Sequence, residues 1–194
     1  MRPARGFSLI ELLVALIITG VLMSVAIPVF TDWLRNTRVR TAAESFQNGL
    51  QLARADAVRR NERIGFYLVD TLAGGCALNV AGPNWVVSGD NPAGQCNAAP
   101  SDTVAPRIVQ VRSAAEGSAS TTIAASQTAV VFNGLGRVVP VPAGGNVTVD
   151  VSSSTGAACL VNGGPVRCLR VVVSTNGLIR MCDPALPVTD TQAC

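Results

Sequence analysis

Between Gly6 and Phe30 the chain carries a single charge, Glu11, in an otherwise apolar run. From Phe7 to Ile27, at about 1.5 Å of rise per residue, such a run makes a helix of about 31 Å, enough to cross a hydrocarbon core of about 30 Å. A charge in such a segment costs roughly 2.5–3.5 kcal/mol at mid-bilayer and less near its edge, so an acid kept there points to function. A cleaved secretory signal has a shorter apolar region followed by a small-residue cut site. Here Pro28-Val29-Phe30 leads into another helical pattern instead. An ordinary signal anchor spans equally well but gives no reason for Glu11.

The residues before the run supply that reason. Met1 to Gly6 form a short basic leader with Arg2 and Arg5, followed by Phe7 and then Leu9-Ile10-Glu11-Leu12-Leu13. This resembles the class III signal of type IV prepilins. The resemblance implies cleavage after Gly6 by a prepilin peptidase, on the cytoplasmic side, and methylation of the new Phe7 amine. It also gives Glu11 a task. In a filament of packed helices, the Phe7 amine of one subunit is buried in hydrocarbon, and a neighbour's carboxylate can pair with it. Burial without a partner costs several kcal/mol, so the pair sets the axial register of an incoming subunit.

The helical pattern does not stop at the membrane. Val39, Ala42, Ala43, Phe46, Leu50, Ala53 and Ala57 recur in steps of three and four, while Arg38, Arg40, Glu44, Arg54, Asp56 and Arg59 fall off that stripe. One continuous helix from Phe7 to Arg60, about 80 Å long, is predicted. Its first half is apolar all round and its second half is amphipathic. Pro28 lacks an N–H and implies a kink. Gly20 is a second soft point, about 1 kcal/mol worse than alanine in a helix interior. By resemblance to pilins, Gly20–Pro28 is the stretch that can unwind in an assembled filament.

After Asn61, glycine, proline, serine and valine dominate and short alternating runs replace the helical period. Ten short strands are predicted between Arg63 and Cys182, among them Arg137–Val141, Ala158–Val161, Arg167–Ser174 and Leu178–Cys182. Asn176-Gly177 between the last two is a strong hairpin signal. The stretch from Asp90 to Pro106 reads as an exposed loop, and so does Ser113–Ser120. The expected fold is α+β: a long N-terminal transmembrane and amphipathic helix whose outer half packs on an antiparallel β-sheet head, shaped like a lollipop. Its predicted parts are a leader (1–6), a transmembrane or filament-core helix (7–30), its amphipathic continuation (31–62) and a disulfide-bonded β-rich head (63–194).

Composition excludes several chemistries. There is no histidine, which removes the commonest general base and metal ligand. The acids are scattered without an obvious pair, and Gly134-Leu135-Gly136 lacks the strand-then-helix setting of a nucleotide loop. Neither an enzyme, a cofactor nor a metal is expected. All 15 basic residues are arginines, and six of them against seven acids lie beyond residue 63, so the head is near neutral.

The six cysteines, at 76, 96, 159, 168, 182 and 194, all follow the apolar run. Basic residues before the span place the N-terminus inside and the head in an oxidising compartment. Six cysteines allow 15 pairings. A hairpin turning at Gly163-Gly164 sets Cys159 opposite Cys168, about 4.5–5.5 Å apart at Cα and within disulfide range. Sequential order alone suggests Cys182–Cys194 and Cys76–Cys96.

Further segments are similar to the GspH/FimT family of minor pilins and pseudopilins: Leu50-Gln51-Leu52-Ala53-Arg54 on the helix, Asn84-Trp85-Val86-Val87, Phe132-Asn133-Gly134-Leu135-Gly136-Arg137, and Leu169 to Gly177 followed by Arg180-Met181-Cys182-Asp183-Pro184. The resemblance implies a structural subunit that primes type IV pilus assembly. Its implied partners are other minor and major pilins, the prepilin peptidase, an inner-membrane assembly platform and the membrane itself. The implied location is the bacterial inner membrane with the head in the periplasm, and later an extracellular pilus or periplasmic pseudopilus. Two other family roles stay open, a pseudopilin of type II secretion and a DNA-binding pilin for transformation. Some members carry Gly-Arg-x-Arg on the last hairpin for DNA; here Gly177-Leu178-Ile179-Arg180 keeps only the second arginine. Phosphate binding needs several cations, so nucleic acid is the disfavoured partner, with Arg167, Arg170 and Arg180 as its candidate contacts.

Overall fold

The computed structural model describes residues 8–116 and 120–194. It divides into two compact units, one ending at Arg35 and one spanning Asn36–Cys194. A single helix, α1 (Leu9–Arg60), runs through that boundary. It is long and apolar enough to cross a membrane. Gly20 and Pro28 both lie inside it, and the helix is unbroken at each.

Among the described side chains of α1 in the first unit none is buried, and those from Leu9 to Ser24 and from Ala26 to Phe30 are exposed. At the end of this run Phe30 and Trp33 stack, with ring centroids 5.8 Å apart, and Arg35 pairs with Asp32 at 2.8 Å. Aromatic rings followed by charges suit the level where hydrocarbon gives way to headgroups.

In the second unit the helix buries one stripe. Val39, Ala42, Ala43, Phe46, Leu50, Ala53 and Ala57 are sealed from solvent. The small residues let the sheet approach closely. At Gly49 a Cβ would come within 2.7 Å of the Phe66 ring and 3.0 Å of Trp85.

Eight strands follow: β1 (Ile64–Val69), β2 (Asn84–Ser88), β3 (Ile108–Arg112), β4 (Thr121–Ala125), β5 (Ala129–Phe132), β6 (Asn146–Ser153), β7 (Leu169–Ser174) and β8 (Ile179–Cys182). They form two four-stranded sheets in the orders β3-β2-β1-β5 and β4-β6-β7-β8, with every pairing antiparallel. The protein is therefore α+β, a long N-terminal helix packed against antiparallel sheets. Strand β1 is buried along its whole length. Ile64, Phe66 and Leu68 join the core under the helix, while Val69 and Val86 face a smaller cluster closed by Cys76, Cys96 and Ile108. In the second sheet, alternate residues Val147, Val149, Val151, Val171 and Val173 complete the main core.

Two predicted strands are absent. At Arg137–Val141 only an isolated bridge joins Phe132 to Val138. Pro140 and Pro142 lack the N–H a ladder needs. Ala158–Val161 is replaced by a 3-10 turn, Leu160–Asn162, ending on left-handed Gly163. The expected loop from Asp90 to Pro106 is not wholly exposed, because Cys96 is buried against the first sheet.

Candidate functional site

The N-terminal site is built on the first turn of α1. Ser8 donates its backbone N–H to the Glu11 carboxylate at 2.8 Å. This is the acid's half of a capping box, in which a glutamate three residues into the helix reaches back to an otherwise unpaired amide. Glu11 is thus pinned at the helix start, and Leu9, Ile10, Leu12 and Leu13 around it are exposed. Gly6 and Phe7, the expected cleavage and methylation positions, lie outside the described residues, as does the rest of the leader. A Cβ at Gly20 would meet nothing within 4 Å. One turn beyond Pro28, Thr31 Oγ1 donates to the Pro28 carbonyl oxygen at 2.8 Å.

In the head the three candidate DNA contacts are already occupied. Arg170 makes a two-pronged contact with Asp150 at 2.6 and 3.1 Å, and this hydrogen-bonded acid raises its pKa further. Arg167 pairs with buried Asp183. Arg180 donates to the carbonyls of Ala193 at 3.3 Å and Cys194 at 3.5 Å. The hairpin register places Arg170 opposite Cys182 and Val172 opposite Arg180, with Arg167 two residues ahead of β7, and the three guanidiniums are turned to separate internal tasks.

The cysteines form three disulfides, Cys76–Cys96, Cys159–Cys168 and Cys182–Cys194, and no cysteine is free. The reason proposed from sequence for Cys159–Cys168 fails. The segment is not a ladder hairpin: Cys159 bridges Val166 in parallel sense, and the 3-10 turn brings the two Cα atoms to 5.4 Å. Among the described residues, no group of three or more acids and cysteines could hold a metal ion.

Sequence reasoning missed two ionic clusters and one junction. Arg60 bridges Asp56 and Asp102, and Arg59 joins Asp56 at 3.0 Å. Arg107 grips Asp90 at 2.9 Å and Glu62 at 2.8 Å, holding the Asp90 carboxyl below the usual carboxylate range. Burial, and then the nearby Asp90 charge, push the Tyr67 phenol up. The junction lies where Gly177, at φ +82°, backs onto Gly136, so that a Cβ would overlap the Gly136 carbonyl oxygen. Arg54 Nε donates to that same oxygen at 3.3 Å. Arg54, Gly134-Leu135-Gly136 and Asn176-Gly177 were each noticed as separate motifs; their meeting has no signal in a single sequence.

The comparisons with known proteins give the family. The model of the type II transport protein GspH matches residues 42–177. The chain belongs to the GspH family. A prokaryotic N-terminal methylation motif matches residues 1–27, spanning Gly6, Phe7 and Glu11. With the exposed apolar helix, that motif marks this GspH-family chain as a membrane-anchored pilin or pseudopilin. Among solved structures it is similar to the type IV minor pilin FimU of Pseudomonas aeruginosa, with 19% identity, 80% of this chain and 94% of that chain covered, and a TM-score of 0.48. It is also similar to GspH of E. coli, with 17% identity, 76% and 89% covered, and a TM-score of 0.42. No curated protein matches it.

Proposed function

We propose that this chain is a minor pilin of a type IV pilus, a structural and non-catalytic subunit that enters when a filament is primed. The observation that carries the reading is Glu11, the lone acid in an exposed apolar stretch of helix inside a methylation motif. The leader (1–6) is removed after Gly6 by a prepilin peptidase and the Phe7 amine is methylated. Residues 7–30 then pack in the filament core, 31–62 continue the helix, and 63–194 face outward as the head. Before assembly the chain waits in the inner membrane, head in the periplasm, and an assembly platform and other pilins receive it. Gly20 and Pro28 bound the stretch that loosens on packing.

In this reading Glu11 exchanges its Ser8 amide for the Phe7 amine of a neighbour. Glu11→Ala then leaves cleavage intact, and the unpaired amine lowers incorporation at least about tenfold. Immunoblots of sheared filaments against whole cells measure it; wild-type incorporation of the variant sinks the register role. A bulky residue in place of Gly6 leaves an uncut precursor, visible by mass spectrometry.

A second reading, a pseudopilin of type II secretion, is favoured by the description of the matching family. A deletion strain scored for both twitching and protein secretion separates the two. DNA uptake has less support, since Arg167, Arg170 and Arg180 are all engaged within the head.

A further inference from the structure

We propose that the corner of the head where the last turns of α1 meet the two glycine turns docks a different protein subunit, one that presents an apolar patch rimmed by carboxylates. At this corner Gly136 and Gly177 are buried against each other while their neighbours are turned out: Leu135 is 78% exposed and Leu178 58%. Val58, 50% exposed, adjoins them, its Cγ2 being 3.2 Å from where a Gly136 Cβ would stand. The Arg54 stem lies across both turns. Two large aliphatic side chains thus stand on turns whose backbone is packed and hydrogen-bonded, and a backbone already fixed lowers the ordering cost of binding.

The charges around them are uncompensated. Arg137 follows Gly136, and Arg63 enters beside the same turn, since its neighbour Ile64 pairs with Phe132. Both are exposed, and neither guanidinium has a hydrogen-bond or ion-pair partner among the described residues. Elsewhere in the head nearly every arginine is engaged. An apolar patch flanked by unpaired cations fits a protein face with acids at its rim. Phosphate groups would use the arginines and leave Leu135 and Leu178 idle.

A second copy of this chain is a poor occupant. Every acid from Glu44 to Asp190 already has a partner, either an arginine or, for Asp70 and Asp190, backbone amides. A homotypic contact would have to share a carboxylate already bonded within the head, whereas the acids of a different subunit need not be, so the geometry points to another subunit. The inference rests on the filament-subunit reading for the class of that partner.

The full chain in detergent is tested against each of the other pilin-type subunits of its own cell, with affinity measured at about 50 mM and about 500 mM salt. One subunit is expected to bind, more weakly at high salt. Combining Leu135→Ser with Leu178→Ser should weaken it at least about tenfold, as loss of central anchors does. Arg137→Glu should weaken it and flatten the salt dependence, whereas Val188→Ser, at a 95% exposed residue of the tail, should change nothing. Unchanged melting temperatures confirm that the variants fold. The proposal is overturned if no subunit binds, if the double variant binds like wild type, or if only self-association appears. It is overturned equally if duplex DNA is the ligand lost with these substitutions. A chain that binds a subunit through this corner yet never enters a filament sinks the filament reading alone; one that enters filaments while the double variant binds unchanged sinks the corner alone.

Discussion

Along α1, Phe46 and Leu50 are sealed from solvent, whereas Leu16 and Ile17 earlier in the same helix are 62% and 66% exposed. The chemistry of the side chains is alike; what differs is whether the chain supplies a cover. From Asn36 onward the stripe is narrow, small residues alternate with large ones, and two sheets of this chain close over it. From Leu9 to Phe30 the apolar surface runs all round, so no single face of a small head could hide it. The first half of the helix is finished only by lipid or by other subunits, and the second is finished on folding.

The contrast can be broken most directly by truncating one leucine on each side of it. Leu50→Ala should cost about 2–5 kcal/mol of head stability, the usual range for a sealed core leucine. Leu16→Ala should leave the head's melting temperature unchanged. Thermal unfolding of the detergent-solubilised chain by circular dichroism compares them, and equal shifts would mean that the two halves are not distinct. Next in size are the cross-links, which only the head possesses. Replacing Cys159 and Cys168 together by serine should cost about 2–4 kcal/mol in the same measurement. Gly177→Ala comes third. Its positive φ and the carbonyl behind it predict a loss of about 1–3 kcal/mol.

The smallest effect is electrostatic. Asp90 is held below its ordinary pKa, first by its hydrogen bond from Arg107. A depressed acid stabilises the fold above its unfolded value, near pH 4, and that contribution is lost as the pH falls through the folded value. Asp90→Asn should therefore lower the melting temperature slightly at pH 7, with the difference from wild type shrinking below about pH 4. A constant difference across that range would show that the pair contributes nothing through its charge.

How much of this was legible in the sequence varied with the range of the interaction. The stripe from Val39 to Ala57 was plain, because helical periodicity is local and the burial follows it residue by residue. The Asn176-Gly177 turn was equally plain, since left-handed backbone selects glycine. Arg137–Val141 was misread because alternation suggested a strand where two prolines withhold donors. The split into two sheets was invisible: β1 pairs with β5 across a long intervening stretch, and no local pattern records that choice. Among the candidate residues, Glu11 stood out because a charge in hydrocarbon is anomalous by itself. Arg167, Arg170 and Arg180 did not reveal their partners, because Asp150, Asp183 and the tail carbonyls come together only in three dimensions.

The three disulfides close loops of 20, 9 and 12 residues in sequence separation and leave Cα spans of 6.1, 5.4 and 5.1 Å. Under tension applied at its two ends, an unfolded head cannot release the chain inside those loops. At about 3.3–3.6 Å per extended residue, it would reach about 120–130 Å less than the same chain reduced. Cross-linking thus sets a mechanical limit as well as a thermodynamic one, beyond which the load passes from noncovalent packing to covalent bonds.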